Sequence, residues 1–366
     1  MMLNKVVLAD LKDQDMSSRV HLAFEQAGVL PLIERAREIY IHVPLGAVLF
    51  HDDIPVGGTY LDVELAEAMI SVCSDKKIVF YETPATAHKN IIRLFERFGY
   101  IELSEKYSNV RIQCPDADET DKDSVQFDYG FEYPPVKLPG FLFNKENLII
   151  SFSNPKAPFS ESVVGFQGLP FSLSGKSLII GSTLFPKKNL LHFALPDVGL
   201  GLQDYVADAL NRMHNAGVLS VGINGGRQAG GLINNVKINP VDWNLLIVSA
   251  NMGLADVVTA ALMGFKPQNI GYFLNLVQKG LIPSDFSNFS EIEIGNGRDR
   301  LEKQLRIENP FLQIDAPITT RQWAIGLLSQ LSLKERIAVA GRTIPSMIKY
   351  KLSRKKPNPI NQKNNG

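Results

Sequence analysis

The chain has 366 residues, 45% of them hydrophobic and 21% charged, enough for one large core or two ordinary ones. Lys+Arg and Asp+Glu stand at 38 each, and a net charge of zero argues against a general nucleic-acid binder, whose phosphate contacts need a basic excess. The two cysteines, Cys73 and Cys114, form no Cys-x-x-Cys pair. That argues against a disulfide framework, a cysteine-rich zinc site and an iron–sulfur cluster held by this chain's own cysteines.

In chain order, short β-branched runs alternate with helical patterns, which predicts an α/β fold. The amino end, Met1–Asp10, lacks the apolar run of a signal peptide, and no stretch approaches the ~18 apolar residues of a membrane span. A cytoplasmic location is therefore expected. Lys5–Ala9 opens the first strand. Val20–Ala27 and Leu30–Arg37 have helix spacing, with Gly28 as the stop between them, and Ile39–Val43 reads as a buried strand ended by Pro44. Asp62–Cys73 carries Leu65, Ala68, Met69 and Val72 at helical spacing. The strand Ile78–Glu82 follows, then the helix Ile91–Phe98 with Gly99 past its end. Two successive strand–loop–helix units predict a mostly parallel sheet with right-handed crossovers.

The middle of the chain is less regular. Asp116, Asp118, Glu119, Asp121 and Asp123 crowd around Lys122 and read as a solvated loop. Leu148–Phe152 and Ser177–Ile180 are predicted strands, Gln203–His214 a helix, and Leu219–Ile223 and Leu245–Ser249 further strands. The expected organisation is an α/β domain over residues 1–315, as one large unit or two tightly packed lobes. A helical appendage over 316–352 and a basic tail over 353–366 complete it. From Leu331 onward nine Lys and Arg side chains face a single acid, Glu335, beside Ile344, Met347, Ile348 and Leu352. Residues 331–366 are thus a candidate contact for an anionic membrane surface or an acidic protein, against the plainer reading of a packed terminal helix with a soluble tail.

Several polar residues fall where open α/β sheets bind ligands, at predicted strand ends. His42 closes a buried strand and is a candidate acid–base group. In the loop after Glu82, Thr83 and His88 precede or begin a helix and are candidate ligand contacts. Lys156, between Pro155 and Ala157, is a candidate anion ligand or general base. The stretch Gly222–Gly231 reads as a glycine-rich loop in which Asn224 and the Arg227 fork face a carboxylate or phosphate. It matches neither a Walker loop nor a dinucleotide fingerprint. No residue cluster has metal-ligand spacing strong enough to name a metal site, and the cofactor is left open.

The segment Ser249-Ala-Asn-Met-Gly-Leu-Ala-Asp256, running into Leu262-Met-Gly-Phe265, resembles the Ser-x-Asp-Pro-x-Ala-x-Asp…Leu-Met-Gly-Phe segment of the domain of unknown function 362 family. Ile270-Gly-Tyr272, Lys279-Gly-Leu281 and Ile292-Glu-Ile-Gly295 follow in the same order. The resemblance implies a mostly parallel α/β fold and draws Asn251 and Asp256 into the candidate site. This chain departs from the family at His42-Val-Pro44, in place of Lys-Pro-Asn. Asn154-Pro-Lys156 keeps a lysine without the histidine that follows it in the family. Gln167-Gly168, Gly222 and Asn251 stand where the family has Lys-Asn, an acidic residue and Asp. The resulting expectation is an enzyme acting by proton transfer on a small carboxylate or phosphate. His42, Lys156 and Asp256 are its candidate catalytic residues, with Thr83, His88, Asn224, Arg227 and Asn251 contacting the ligand. The alternative is a non-catalytic binding or accessory protein on the same scaffold.

Overall fold

The structure is a computed structural model. It describes residues 5–11, 15–45, 50–51, 54–55, 57–58, 60–83, 88–115, 125–127, 136–157, 173–182, 196–229, 231–234, 237–238, 240–286 and 293–294. The acidic run 116–123, the appendage 316–352 and the tail 353–366 lie outside them.

The first half contains β1 (Lys5–Asp10), α1 (Met16–Gln26), α2 (Leu30–Arg35), β2 (Glu38–His42), the short pair β3 (Phe50–His51) and β4 (Ile54–Pro55), and α3 (Val63–Val72). It continues with β5 (Lys77–Tyr81), α4 (His88–Arg97), α5 (Tyr100–Lys106), β6 (Val110–Gln113), and the pair β7 (Val125–Phe127) and β8 (Val136–Leu138). The second half contains β9 (Asn147–Ser153), β10 (Lys156–Ala157), α6 (Ser174–Gly181), α7 (Pro196–Asn215) and β11 (Leu219–Ala229). After it come β12 (Gly231–Asn234), β13 (Lys237–Ile238), β14 (Val241–Ser249), α8 (Met252–Leu262), α9 (Gly271–Gln278) and β15 (Glu293–Ile294).

Eight strands form one sheet in the order β15-β1-β14-β11-β9-β2-β5-β6. Its pairings are parallel except where β14 meets β1 and β11, so β14 alone runs against the rest. The mixed, mostly parallel α/β architecture agrees with the sequence expectation. Local signals account for the helix starts. Asp15 accepts hydrogen bonds from the Ser17 and Ser18 N–H groups, Asp62 from Glu64, and Asn251 from Leu254. Gly99 takes φ +79° between α4 and α5, where a side chain would be strained.

The order of connections has a reversal point. From β2 the chain steps outward to β5 and β6, with α3, α4 and α5 packed on one face of the sheet. From β9 it steps the other way to β11, with α6 and α7 on the opposite face. Right-handed crossovers require this change of face when the direction reverses. The reversal falls between β2 and β9, which are neighbours, and ligands of open α/β sheets bind at the carboxyl ends of such strands.

Two sequence expectations are corrected. Ser177–Ile180, expected as a strand, belongs to helix α6. Short apolar runs do not distinguish strand from buried helix, and α6 is fixed by partners distant in sequence. The glycine-rich stretch expected as a loop from Gly222 is instead the continuation of β11 as far as Ala229. Its register shifts between Gly226 and Gln228, so the glycines serve a bulge inside a strand. At Gly225, with φ +140°, a Cβ would stand 1.9 Å from the Leu245 carbonyl oxygen.

Candidate functional site

Residues paired across neighbouring strands point to the same face of a sheet. One such row reads Tyr81 (β5), His42 (β2), Ser151 (β9), Gly222 (β11) and Ser249 (β14). Two residues onward, Ser153 pairs with Asn224. Helix α6 lies over this row and presents Ser174, Ser177 and Gly181, whose spacing of three and four residues places them on one stripe. The Ser151 hydroxyl donates to the Ser174 carbonyl at 2.6 Å, and the Ser153 and Ser177 hydroxyls are 3.3 Å apart. A Cβ on Gly181 would come within 2.3 Å of His42 Nε2 and 3.2 Å of Glu82 Oε1. The helix is therefore seated directly on a polar seam, with small residues permitting the close approach.

Asp256 holds the amino end of α6. Its Oδ1 accepts from Ser174 Oγ at 2.6 Å and Asn224 Nδ2 at 3.0 Å, and its Oδ2 from the Gly175 N–H at 3.0 Å and Tyr272 OH at 3.1 Å. Asn224 Oδ1 accepts from the Ser174 N–H at 2.8 Å. Four donors match the four lone-pair sites of a carboxylate. Because β14 is the reversed strand, Asn251 after it lies toward the opposite rim from His42. Helix α8 then returns, and four residues at 1.5 Å rise cover about the length of two strand residues. That carries Asp256 from the level of Gly222, which touches Met252, to that of Asn224.

Asp256 is fully buried, and burial pushes its carboxyl up to about 6 against the four donors that pull it down. Lys176, in the first turn of α6, is also buried; desolvation lowers its ammonium to about 8, opposed by the negative charge of Asp256. Tyr272 lies well above the ordinary phenol range because it is buried and faces that same carboxylate.

At the other end of α6, His42 is fully buried with Nε2 3.4 Å from Glu82 Oε1. The separation allows an ion pair when the ring is protonated, yet neither ring nitrogen has a well-formed hydrogen bond among the described residues. Glu82 Oε1 also accepts from the Thr83 N–H at 2.9 Å. Beside them Tyr81 OH and Ser182 Oγ are 3.1 Å apart, and the His42 and Tyr81 ring centres are 5.4 Å apart.

Of the expected site residues, the fold gathers His42, Thr83, Asn224 and Asp256 along the seam. Asn251 acts as the helix cap of α8, with its Nδ2 donating to the Leu281 carbonyl at 2.8 Å. Arg227 is not brought to Asp256. Past the bulge it is half-exposed and pairs with Glu64 and Asp62 at the start of α3, in the opposite layer. Lys156 lies in β10, paired with Gly231 of β12, and His88 begins α4; their side chains are outside the described residues.

Ser174, Lys176, Tyr272 and Glu82 were missed from sequence. A carboxylate ending the apolar run Ile78-Val-Phe-Tyr-Glu82 was a usable signal, because a strand that is apolar throughout is buried on both faces. Ser174, the first of the eight residues of α6, was another, as a helix-start residue type. Among the described residues no three His, Cys, Asp or Glu side chains converge as metal ligands. No helix there is long and apolar enough to cross a membrane. No family model, curated protein or solved structure matches this chain.

Proposed function

We propose that the chain is an enzyme that moves a proton on a small anionic substrate at the strand ends beside α6. The reading rests on one observation above the others: Lys176 is buried in the first turn of α6 beside the Asp256 carboxylate, with its ammonium lowered to about 8. A lysine in that range is poised to exchange protons near neutral pH, and its charge attracts carboxylate or phosphate. In this reading His42, next to Glu82, is the second acid–base group. Asp256 is the anchor that orients α6 and supplies the counter-charge, because its lone pairs are already taken. Arg227, an anion ligand expected from sequence, has no part in this reading, because its guanidinium is paired in the other layer. The resemblance at Ser249–Asp256 supports the location of the site and not the reaction.

The alternative is a binding protein without turnover on the same scaffold. The fourfold-bonded Asp256 favours it, since a carboxylate so occupied serves a fixed scaffold as well as a catalyst. Incubation with small carboxylates and phosphate esters in deuterated water, followed by NMR, separates the two. The enzyme reading expects C–H exchange with at least one compound, rising with pH through about 8 as Lys176 loses its proton. Lys176→Met should abolish the exchange and Arg227→Ala should leave it intact. Saturable binding without exchange supports the alternative; neither binding nor exchange sinks both readings.

A further inference from the structure

The face of the sheet that carries the seam also bears a hollow along the edge strand β6, reaching from Glu38 and Asn147 at the amino ends of β2 and β9 to Gln113. Its volume is about 630 Å³, within the ~300–1,000 Å³ of small-molecule sites. Arg37, Glu38, Tyr40, Arg111, Gln113 and Phe141 are among its lining residues. Tyr40 and Phe141 stack with ring centres 4.3 Å apart and planes 8° apart, and Tyr81 meets Phe141 edge-on at 4.9 Å. The wall is therefore a rigid aromatic stack whose inner member also contacts His42.

The charges are arranged on this wall. Glu38 Oε2 accepts from Tyr40 OH at 3.0 Å and from Arg111 Nη2 at 3.3 Å, and the same nitrogen donates to Tyr40 OH at 3.3 Å. Arg111 is thus held beside the ring through one nitrogen, with long bonds and about half of its side chain exposed. Guanidinium has five donors, so the fork retains capacity for a bidentate partner. Arg37 is paired with Glu146 at 3.2 Å, so the donors left for an anion are those of the Arg111 fork.

We infer that this hollow is a ligand site for a flat-ringed carboxylate. The ring extends the Tyr40–Phe141 stack in the offset or edge-on manner aromatic pairs favour, and the carboxylate is received by the Arg111 fork. The site is separate from the strand-end seam and does not depend on the function proposed for it.

Calorimetry on the full chain tests the inference with three probes. Benzoate carries both ring and charge, benzamide the ring alone, and inorganic phosphate the charge alone. Benzoate should bind, with the other two at least about tenfold weaker. Arg111→Gln should lose about tenfold of the benzoate affinity, and Arg111→Lys, which keeps the charge without the fork, should fall between. Arg111 is about half exposed on an edge strand, so these variants should fold, and circular dichroism checks that they do. Lys176→Met should leave benzoate affinity unchanged. Absence of benzoate binding, wild-type affinity in Arg111→Gln, phosphate binding as tight as benzoate, or loss of binding in Lys176→Met would each overturn the inference. The last would mean that benzoate occupies the strand-end seam instead.

Discussion

The two faces of the sheet are built from the same strands and differ in kind. On the side of α3 to α5 the strands present Ile39, Ile41, Ile78, Phe80, Leu148, Ile150, Phe152, Val221 and Ile223, an apolar surface throughout. On the side of α6 to α9 they present Tyr40 and Ile149 near the amino ends, then His42, Ser151, Ser153 and Asn224 toward the carboxyl ends. The apolar face demonstrates that packing a helix on these strands needs no polar group. Buried polar residues cost free energy unless paired, so a seam confined to one face and one end is a specific investment in that place. The same contrast separates two charged groups that sequence reasoning grouped together: buried Asp256 in the seam and half-exposed Arg227 behind the other layer.

The largest expected effect is at Asp256. Asp256→Ala removes the negative charge that acts on Lys176 and the shared acceptor of four donors, and should destabilise the protein by about 3–5 kcal/mol in urea unfolding. A loss under about 1 kcal/mol would mean that the seam is not what holds α6. The conservative Asp256→Asn gives a pH signature. The carboxyl titrates near 6 when folded against 3.8 for the free group, so the native state binds that proton more tightly. Its contribution to stability is full below about pH 4 and is lost as pH rises through about 6, and the Asn variant should lack this dependence.

Gly181→Ala should come next, at about 1–3 kcal/mol, because its Cβ would press on the His42 ring. Thermal unfolding measures it, and a neutral result would show that the helix is not seated tightly on β2. Tyr272→Phe removes one of the four donors to Asp256 and should cost about 1 kcal/mol while raising the carboxyl further. The smallest effect is expected at Arg227→Ala. Its surface pair with Glu64 is worth at most about 1 kcal/mol, and an equal or larger loss than at Asp256 would reverse the comparison.

Much of the architecture was legible in local sequence. The strands around Ile39–Val43, Ile78–Glu82 and Leu148–Phe152 and the stops at Gly28 and Gly99 all depend on residues within a few positions. What escaped depends on distant partners. Nothing near Ser174 announces that its hydroxyl and the next N–H are held by a carboxylate 82 residues further along. The glycines from Gly222 to Gly226 carry the composition of a loop, and only pairing with β9 and β14 makes them a strand. Arg227 was read as part of that loop and lies inside β11 instead. Its direction depended on the bulge at Gly226 and Gln228, which no spacing in the sequence reveals.

Lys176 as a desolvated amine beside Asp256 carries the functional reading, and titration of that side chain is the decisive check. Reductive ¹³C-methylation of the lysines, followed by NMR titration with Lys176→Met assigning the signal, gives the value for that one side chain. A midpoint near 8 is expected in the wild-type chain, moving lower in Asp256→Asn, where the opposing negative charge is gone. A midpoint at the ordinary lysine value of about 10.4, unmoved by Asp256→Asn, would contradict it.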